Sequence, residues 1–183
     1  LPILKNLSYC TREDSYLIIQ VGDKGLVLDK TDGPNHLKVV EEFGYEMDLH
    51  CGAIRKALLA FLLLVQTNDF IAHVVKGLDV FVLDVGDLHD VKAELGLIGG
   101  MIAPLAPIRE KGIAVSHGEY VPDAVGIGAP IYGIDGRISA SVGIIAPYSR
   151  IEDDTHLLHL QDQVRHSAAE LSYYMGHTFK QEK

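Results

Sequence analysis

The chain has 183 residues, with 16 Lys plus Arg against 25 Asp plus Glu and a net charge of −9. A charge of that sign repels a polyanionic phosphate backbone, so the chain alone is not read as a DNA binder. The length suits one domain that buries roughly 70% of the surface its unfolded chain exposes. Two cysteines, Cys10 and Cys51, are too few for a disulfide framework, and the opening residues have neither the charged start nor the apolar run of a signal peptide. The longest apolar run, Ala57 to Val65, is about half of what a membrane span needs and reads as a buried helix. The expectation is a reduced, cytoplasmic protein that does not touch a membrane.

Leu1 to Glu13 predicts a short helix, since Pro2 suits a first turn and Ile3, Leu4 and Leu7 share one side. Tyr16 to Val21 and Leu26 to Asp29 are strand-like around the turn Gly22-Asp23-Lys24-Gly25, and a third strand fits Leu37 to Val40 after Asp32-Gly33-Pro34. Glu41 to Asp48 reads as a connector into His50-Cys51-Gly52-Ala53. From there Ile54, Leu58, Phe61 and Val65, with Ala57 and Leu64, have helical spacing in a nearly all-apolar segment. Thr67 or Asn68 caps a second helix that Gly77 stops. Leu78 to Ile108 mixes signals, and the glycines and prolines of LGLIGGMIAPLAP predict broken structure.

Ile113 to His117 predicts a strand leading to Val125 to Pro147, two β-forming runs around Ile134-Asp135-Gly136-Arg137. With Asp135 and Gly136 as the turn, Ile127 faces Ile144, Ala129 faces Val142 and Ile131 faces Ala140 on an apolar side. The other side pairs Gly126 with Ile145, Gly128 with Gly143, Pro130 with Ser141 and Tyr132 with Ser139, and its middle is almost without side chains. Either a helix packs close there or a small ligand sits in a cavity. A closing helix starts at Asp153-Asp154-Thr155 and carries the stripe Leu157, Leu160, Val164, Ala168, Leu171 and Met175. The order of helix, three strands, helices, three strands and helix predicts an α+β fold with a mainly antiparallel sheet of about six strands.

Chemistry is sparse. The chain has no Gly-rich phosphate loop, nucleophile elbow, Cys-x-x-Cys or His-Glu-x-x-His. An enzyme is therefore not the default reading, and no catalytic residue or cofactor is assigned. His156, His159 and His166 fall near one helical face without an evident fourth ligand, so a solvated face outweighs a metal site. His50-Cys51 reads as a hydrogen-bonded histidine and a buried cysteine rather than a thiolate. Arg55, one turn into an apolar helix, must either reach solvent or pair with an anion near free helix N–H groups. Glu119 and Asp123 flank the hairpin entrance, where they supply polar contacts to the same place or merely solvate a loop.

HCGAIRKALLA at His50 to Ala60, IREKGIAV at Ile108 to Val115, EYVPDAVGIGAPIYGIDGRISASVGIIAP and Ser149-Arg150 before the last helix occur in one order. Together they resemble the effector-binding domain of IclR-type transcriptional regulators over nearly the whole chain. The resemblance implies a GAF-like fold, with a curved antiparallel sheet flanked by helices. It implies a domain that binds a small metabolite, often a carboxylate, assembles into homodimers or homotetramers, and reaches DNA only through a winged helix-turn-helix absent from this chain. Residues 1–14 would be the remnant of the linker helix and 15–183 the effector domain. In the family the pocket lies between the loop at His50 to Ile54, the strand through Ser116 and Glu119, and the hairpin face of Gly126, Gly143 and Ile145. Gly126 stands where a cysteine is usual, Gly143 and Ile145 where small hydroxyl residues are frequent, and Arg55 where a glycine is usual. The expected ligand-binding set is Gly52, Ala53, Ile54, Arg55, Ser116, Glu119, Gly126, Gly128, Ser141, Gly143 and Ile145. The competing reading is an enzyme or metal protein on the same scaffold.

Overall fold

The computed structural model describes residues 2–36, 44–62 and 105–178. Its helices are α1 (Pro2–Thr11), α2 (Ala53–Leu62), α3 (Ala106–Lys111) and α4 (Asp154–Tyr174). Its strands are β1 (Asp14–Val21), β2 (Lys24–Thr31), β3 (Glu46–Asp48), β4 (Ala114–His117), β5 (Ala124–Tyr132) and β6 (Ile138–Pro147), with a 3-10 turn at Tyr148–Arg150. The six strands form one curled antiparallel sheet in the order β3-β2-β1-β6-β5-β4, so the fold is α+β as expected. The two hairpins meet where β1 pairs with β6, Tyr16 opposite Gly143 and Leu17 opposite Val142.

Strand alternation sends the two faces of the sheet into two separate cores. On one side Ile127, Ala129, Ile131, Ala140, Val142 and Ile144 pack against Ile3, Leu4 and Leu7 of α1 and Leu160, Val164, Ala168 and Leu171 of α4. On the other, Tyr16, Ile18 and Val27 pack against Ala53, Ile54, Ala57 and Leu58 of α2 and Ile108 of α3. The middle of the sheet is therefore covered twice, by α1 and α4 on one face and by α2 and α3 on the other.

The register of β5 and β6 runs from Ala124–Pro147 to Ile131–Ala140, including the Gly128–Gly143 and Pro130–Ser141 pairs. At the tip it slips by one residue, and Tyr132 faces Ile138 rather than Ser139. The turn is not a two-residue loop. Gly136 N–H bonds to the Gly133 carbonyl and Gly133 N–H to the Arg137 carbonyl, with Gly136 at φ 74°. A turn centred on Ile134 and Asp135, followed by a left-handed glycine, inserts the extra residue.

Other expectations shift for local reasons. The third strand of the first sheet half is Glu46–Asp48, in the stretch read as a connector, where it pairs with Lys24, Gly25 and Leu26. The strand expected at 37–40, the helix after Thr67 and residues 78–104 of the mixed stretch Leu78 to Ile108 lie outside the described residues. Ala106–Lys111 is helical although its prolines were expected to break structure; Pro107 sits in the first turn, where no N–H is missed, and Gly112 closes the helix at φ 62°. α4 is capped by the Asp153 carboxylate, which accepts the His156 N–H. Its stripe is buried at Leu160, Val164, Ala168 and Leu171 and half-buried at Leu157, while Met175 lies past the last turn and is 51% exposed.

α1 ends at Thr11, and Arg12, a non-glycine residue at φ 61°, turns the chain straight into a buried ion pair. The Glu13 carboxylate, 6% exposed, is gripped by both Nε and Nη2 of Arg150. Burial raises the Glu13 pKa above the ordinary carboxylate value, and Arg150 pulls it back only in part. This bond ties the end of the first helix to the segment after β6.

Candidate functional site

The residues ahead of α2, Leu49-His50-Cys51-Gly52, offer no side chain of the kind that usually caps a helix, and Gly52 is left-handed at φ 81°. The free N–H groups are satisfied from across the sheet instead. Ser116 Oγ, at the end of β4, accepts the Ala53 N–H at 3.0 Å, and Glu119 Oε2 accepts the Gly52 N–H at 3.1 Å. The other carboxylate oxygen of Glu119 pairs with Lys56, and the Glu119 carbonyl takes the Cys51 thiol at 3.4 Å. One carboxylate thus stands where the helix dipole and a lysine both favour negative charge.

Arg55 does not reach solvent. It is 2% exposed, folded back so that Nε donates to the Cys51 carbonyl, with Nη1 against Met47 Sδ and the guanidinium 4.6 Å from the centre of the Tyr120 ring. The aromatic face and the carbonyl stabilise a cation held away from water. Burial lowers the His50 pKa, helped by Arg55 and Lys24 against Asp48, and keeps the imidazole neutral around pH 7. Burial likewise raises the Cys51 thiol, so it is not an activated nucleophile.

Two spaces adjoin this helix start. The inner one, about 30 Å3, is lined by Gly52, Ala53, Ile54, Arg55, Ser116, Glu119, Gly126 and Ile145 of the expected set, together with Ile18, Tyr120, Val121 and Ala124. A volume of that order holds one or two waters and no metabolite. The outer cleft, about 480 Å3, runs between Lys24, Tyr45 to Asp48, His50, Cys51, Arg55, Glu119 and Tyr120. Its size lies in the range of small-molecule sites.

Gly128, Ser141 and Gly143 line neither space. A Cβ on Gly128 would run into the Cα of Ile54, with the Ile54 nitrogen at 2.8 Å and the Ala53 oxygen at 2.9 Å. A Cβ on Gly143 would meet the Ile127 carbonyl, and Ile54 Cγ1 at 2.6 Å. The bare hairpin face is where the first turn of α2 lies on the sheet, so these glycines serve close packing. Ser141 is fully buried beside them, and its hydroxyl has no hydrogen-bond partner among the described residues. Gly126 differs: a Cβ there would sit 2.7 Å from Ser116 Oγ, so its bareness makes room for the capping hydroxyl.

The sequence reading missed Lys56, Tyr120 and the β2–β3 wall. Lys56 was legible as the residue one turn beyond Gly52 on the helix, but nothing local marks Tyr120 or Tyr45, which arrive through the fold. Asp123 sits apart from the site, at φ 59°, its carbonyl accepting the Tyr148 N–H. The three histidines of α4 do not converge either. His156 Nδ1 accepts the Glu152 N–H, His159 and His166 are exposed, and no metal-ready group of His, Cys, Asp or Glu occurs among the described residues. No described helix is long and apolar enough to cross a membrane.

The family model of the bacterial transcriptional regulator IclR C-terminal domain matches residues 1–78 and 99–173. Among curated relatives, the HTH-type transcriptional regulator KipR of Bacillus subtilis is 23% identical over 97% of this chain and 66% of its own length. The HTH-type transcriptional regulator BhcR of Paracoccus denitrificans is 29% identical over 96% of the chain and 58% of its own length. The chain thus spans about three fifths of these relatives. Among solved structures, transcriptional regulator YaiJ superposes with a TM-score of 0.75 at 23% identity, covering 96% of this chain and 92% of that one. Thermotoga maritima IclR superposes at 0.72 and 23% identity over 96% and 66%. At that identity the structures speak for the fold, and the family model, matched over most of the length, speaks for descent: the chain belongs to the IclR family of bacterial transcriptional regulators, as their C-terminal domain.

Proposed function

We propose that this domain binds a small organic acid in the cleft at the start of α2 and, through a homodimer or homotetramer, passes its occupancy to a DNA-binding domain elsewhere in a cytoplasmic regulator. The observation that carries the reading is the 480 Å3 cleft bordered by the Arg55 guanidinium and the first turn of a helix whose N–H groups already hold a carboxylate. Residues 1–14 act as the linker helix and residues 15–183 as the sensor. Gly52 to Arg55, Ser116, Glu119, Gly126 and Ile145 make the inner wall of the site, and Lys24, Tyr45, His50 and Tyr120 the outer one. Gly128, Ser141 and Gly143 support it from the sheet. The domain does no chemistry and needs no cofactor, and the burial that raises the Cys51 pKa works against an activated thiol there. With a net charge of −9 it leaves DNA contact to its partner domain.

A thermal-shift series with pyruvate, benzoate and gluconate tests the reading. An acid present at about a hundred times its Kd stabilises the native state by about 2.7 kcal/mol, which raises Tm by about 5 to 11 °C in a chain of this size. A flat response to all three at about 10 mM, a concentration that covers even millimolar Kd values, sinks it.

A further inference from the structure

Six residues, Gly118 to Asp123, join β4 to β5 and cross the mouth of the inner cavity. Both ends are left-handed, Gly118 at φ 62° and Asp123 at φ 59°, and the neck is closed by the Gly118 N–H bond to the Ala124 carbonyl at 2.8 Å. Between those ends, side chains fasten the segment to α2. Glu119 holds Lys56 and the Gly52 N–H, Tyr120 covers Arg55, and the Cys51 thiol meets the Glu119 carbonyl. Among the described residues, no backbone-to-backbone bond ties it to the helix start. The Glu119 side chain is 35% exposed, so water competes for its bonds.

Arg55, Glu119 and Tyr120 line both the inner cavity and the outer cleft, so they are the partition between the two. We infer that Gly118 to Asp123 is a gate, hinged at its two left-handed residues and latched by the Glu119 carboxylate. The inference rests on the organic-acid reading above for its ligand. The carboxylate of Glu119 occupies the place that an incoming carboxylate takes on the Gly52 N–H and Lys56. An acid entering the outer cleft displaces the latch, the segment swings out, and the two spaces become one chamber. The apolar walls of that chamber, Ile18, Ile54, Val121 and Ile145, then receive the remainder of the molecule. The ligand class this favours is a monocarboxylate with a short apolar body rather than a polyol or a dianion, because Glu46, Asp48 and Glu119 already crowd the outer cleft with negative charge.

Cys51, half-buried against the Glu119 carbonyl, reports the gate without any ligand. In a Cys10→Ser background, alkylation of Cys51 by iodoacetamide is followed by mass spectrometry. Tyr120→Ala and Lys56→Ala each remove one fastening and should raise the rate at least tenfold. The lysine variant separates opening from electrostatics. The Lys56 ammonium pulls the Cys51 pKa down, so its loss with a fixed segment would raise that pKa, leave less thiolate and slow the reaction. Unchanged or slower alkylation in Lys56→Ala overturns the gate. The accelerated rates should be flat in low urea, since the segment opens without global unfolding; rates that climb with urea in step with unfolding also overturn it. Tyr120→Leu and Lys56→Gln replace any alanine variant that melts below the assay temperature. Faster alkylation with no thermal shift from any acid keeps the gate and removes the organic-acid reading, and slow alkylation with a clear thermal shift does the reverse.

Discussion

Gly128→Ala is the sharpest single test of how the site is built. Its added methyl would collide with the Cα of Ile54 and lie within 2.9 Å of the Ala53 oxygen. Neither is the end of a flexible side chain, so relief requires moving the first turn of α2 away from β5. That movement loosens Ile54, 3% exposed, and strains the Ser116 and Glu119 bonds to the helix start. Overpacking a core costs typically 1 to 3 kcal/mol, and with a backbone obstacle the upper figure applies. About 3 kcal/mol corresponds to a fall in Tm of about 6 to 12 °C for a chain of this length, measurable by circular dichroism, with a matching drop in the urea midpoint at unchanged slope. If instead the glycine faced a cavity, the methyl would fill empty space and remove a flexible residue from a strand, and stability would hold or rise slightly. A Gly128→Ala protein that melts within about 2 °C of the parent, less than 1 kcal/mol by the same scaling, would refute the close packing of α2 on the hairpin.

Two further predictions concern the supporting bonds. Gly126→Ala destabilises by about 1 to 2 kcal/mol because its methyl meets Ser116 Oγ, whereas in a Ser116→Ala background it is nearly neutral, the next neighbour being Ala53 Cβ at an ordinary 3.4 Å; additive losses in this double-mutant cycle would disprove the account. Ser116→Ala alone costs about 1 kcal/mol, the loss of one helix cap. For Glu13 and Arg150 the pH dependence follows from sign. A carboxyl whose folded pKa is raised contributes stability below its unfolded pKa and loses it as pH rises through the folded value. Arg150 opposes that loss, so Arg150→Ala should be close to the parent near pH 4 and about 2 to 4 kcal/mol less stable near pH 7, where an unpaired buried carboxylate is costly. A destabilisation equal at both pH values, read from urea midpoints, would contradict it.

What the sequence determines here is whatever depends on period and local chemistry. Alternation from Ala124 to Pro147 fixes which residues face each other and which side is apolar, because a one-residue slip would turn every side chain over. The apolar stripes of α1 and α4, the Asp153 cap and the α+β order follow from helical spacing and capping chemistry in the same way. The resemblance to the IclR effector domain was legible because HCGAIRKALLA and the hairpin segment keep their order, and the family match agrees with it. The tip of the hairpin was not legible, since Asp-Gly serves both a two-residue turn and a longer turn with a left-handed glycine.

The rest was decided in three dimensions. The glycines of the hairpin announce that something comes close, but only the tertiary structure makes it the backbone of α2 at Gly128 and Gly143, and a hydroxyl at Gly126. Arg55 had two readings on the helix, solvent or anion. The fold supplies a third, a carbonyl, a sulfur and a tyrosine ring brought from Cys51, Met47 and Tyr120. The start of α2 looks uncapped in sequence because its caps, Ser116 and Glu119, lie more than sixty residues away along the chain. Contacts of that range depend on how β4 pairs with β5 and how α2 crosses the sheet, and no local pattern encodes them; short-range chemistry chose the elements, while long-range packing chose which of their polar groups meet at the site.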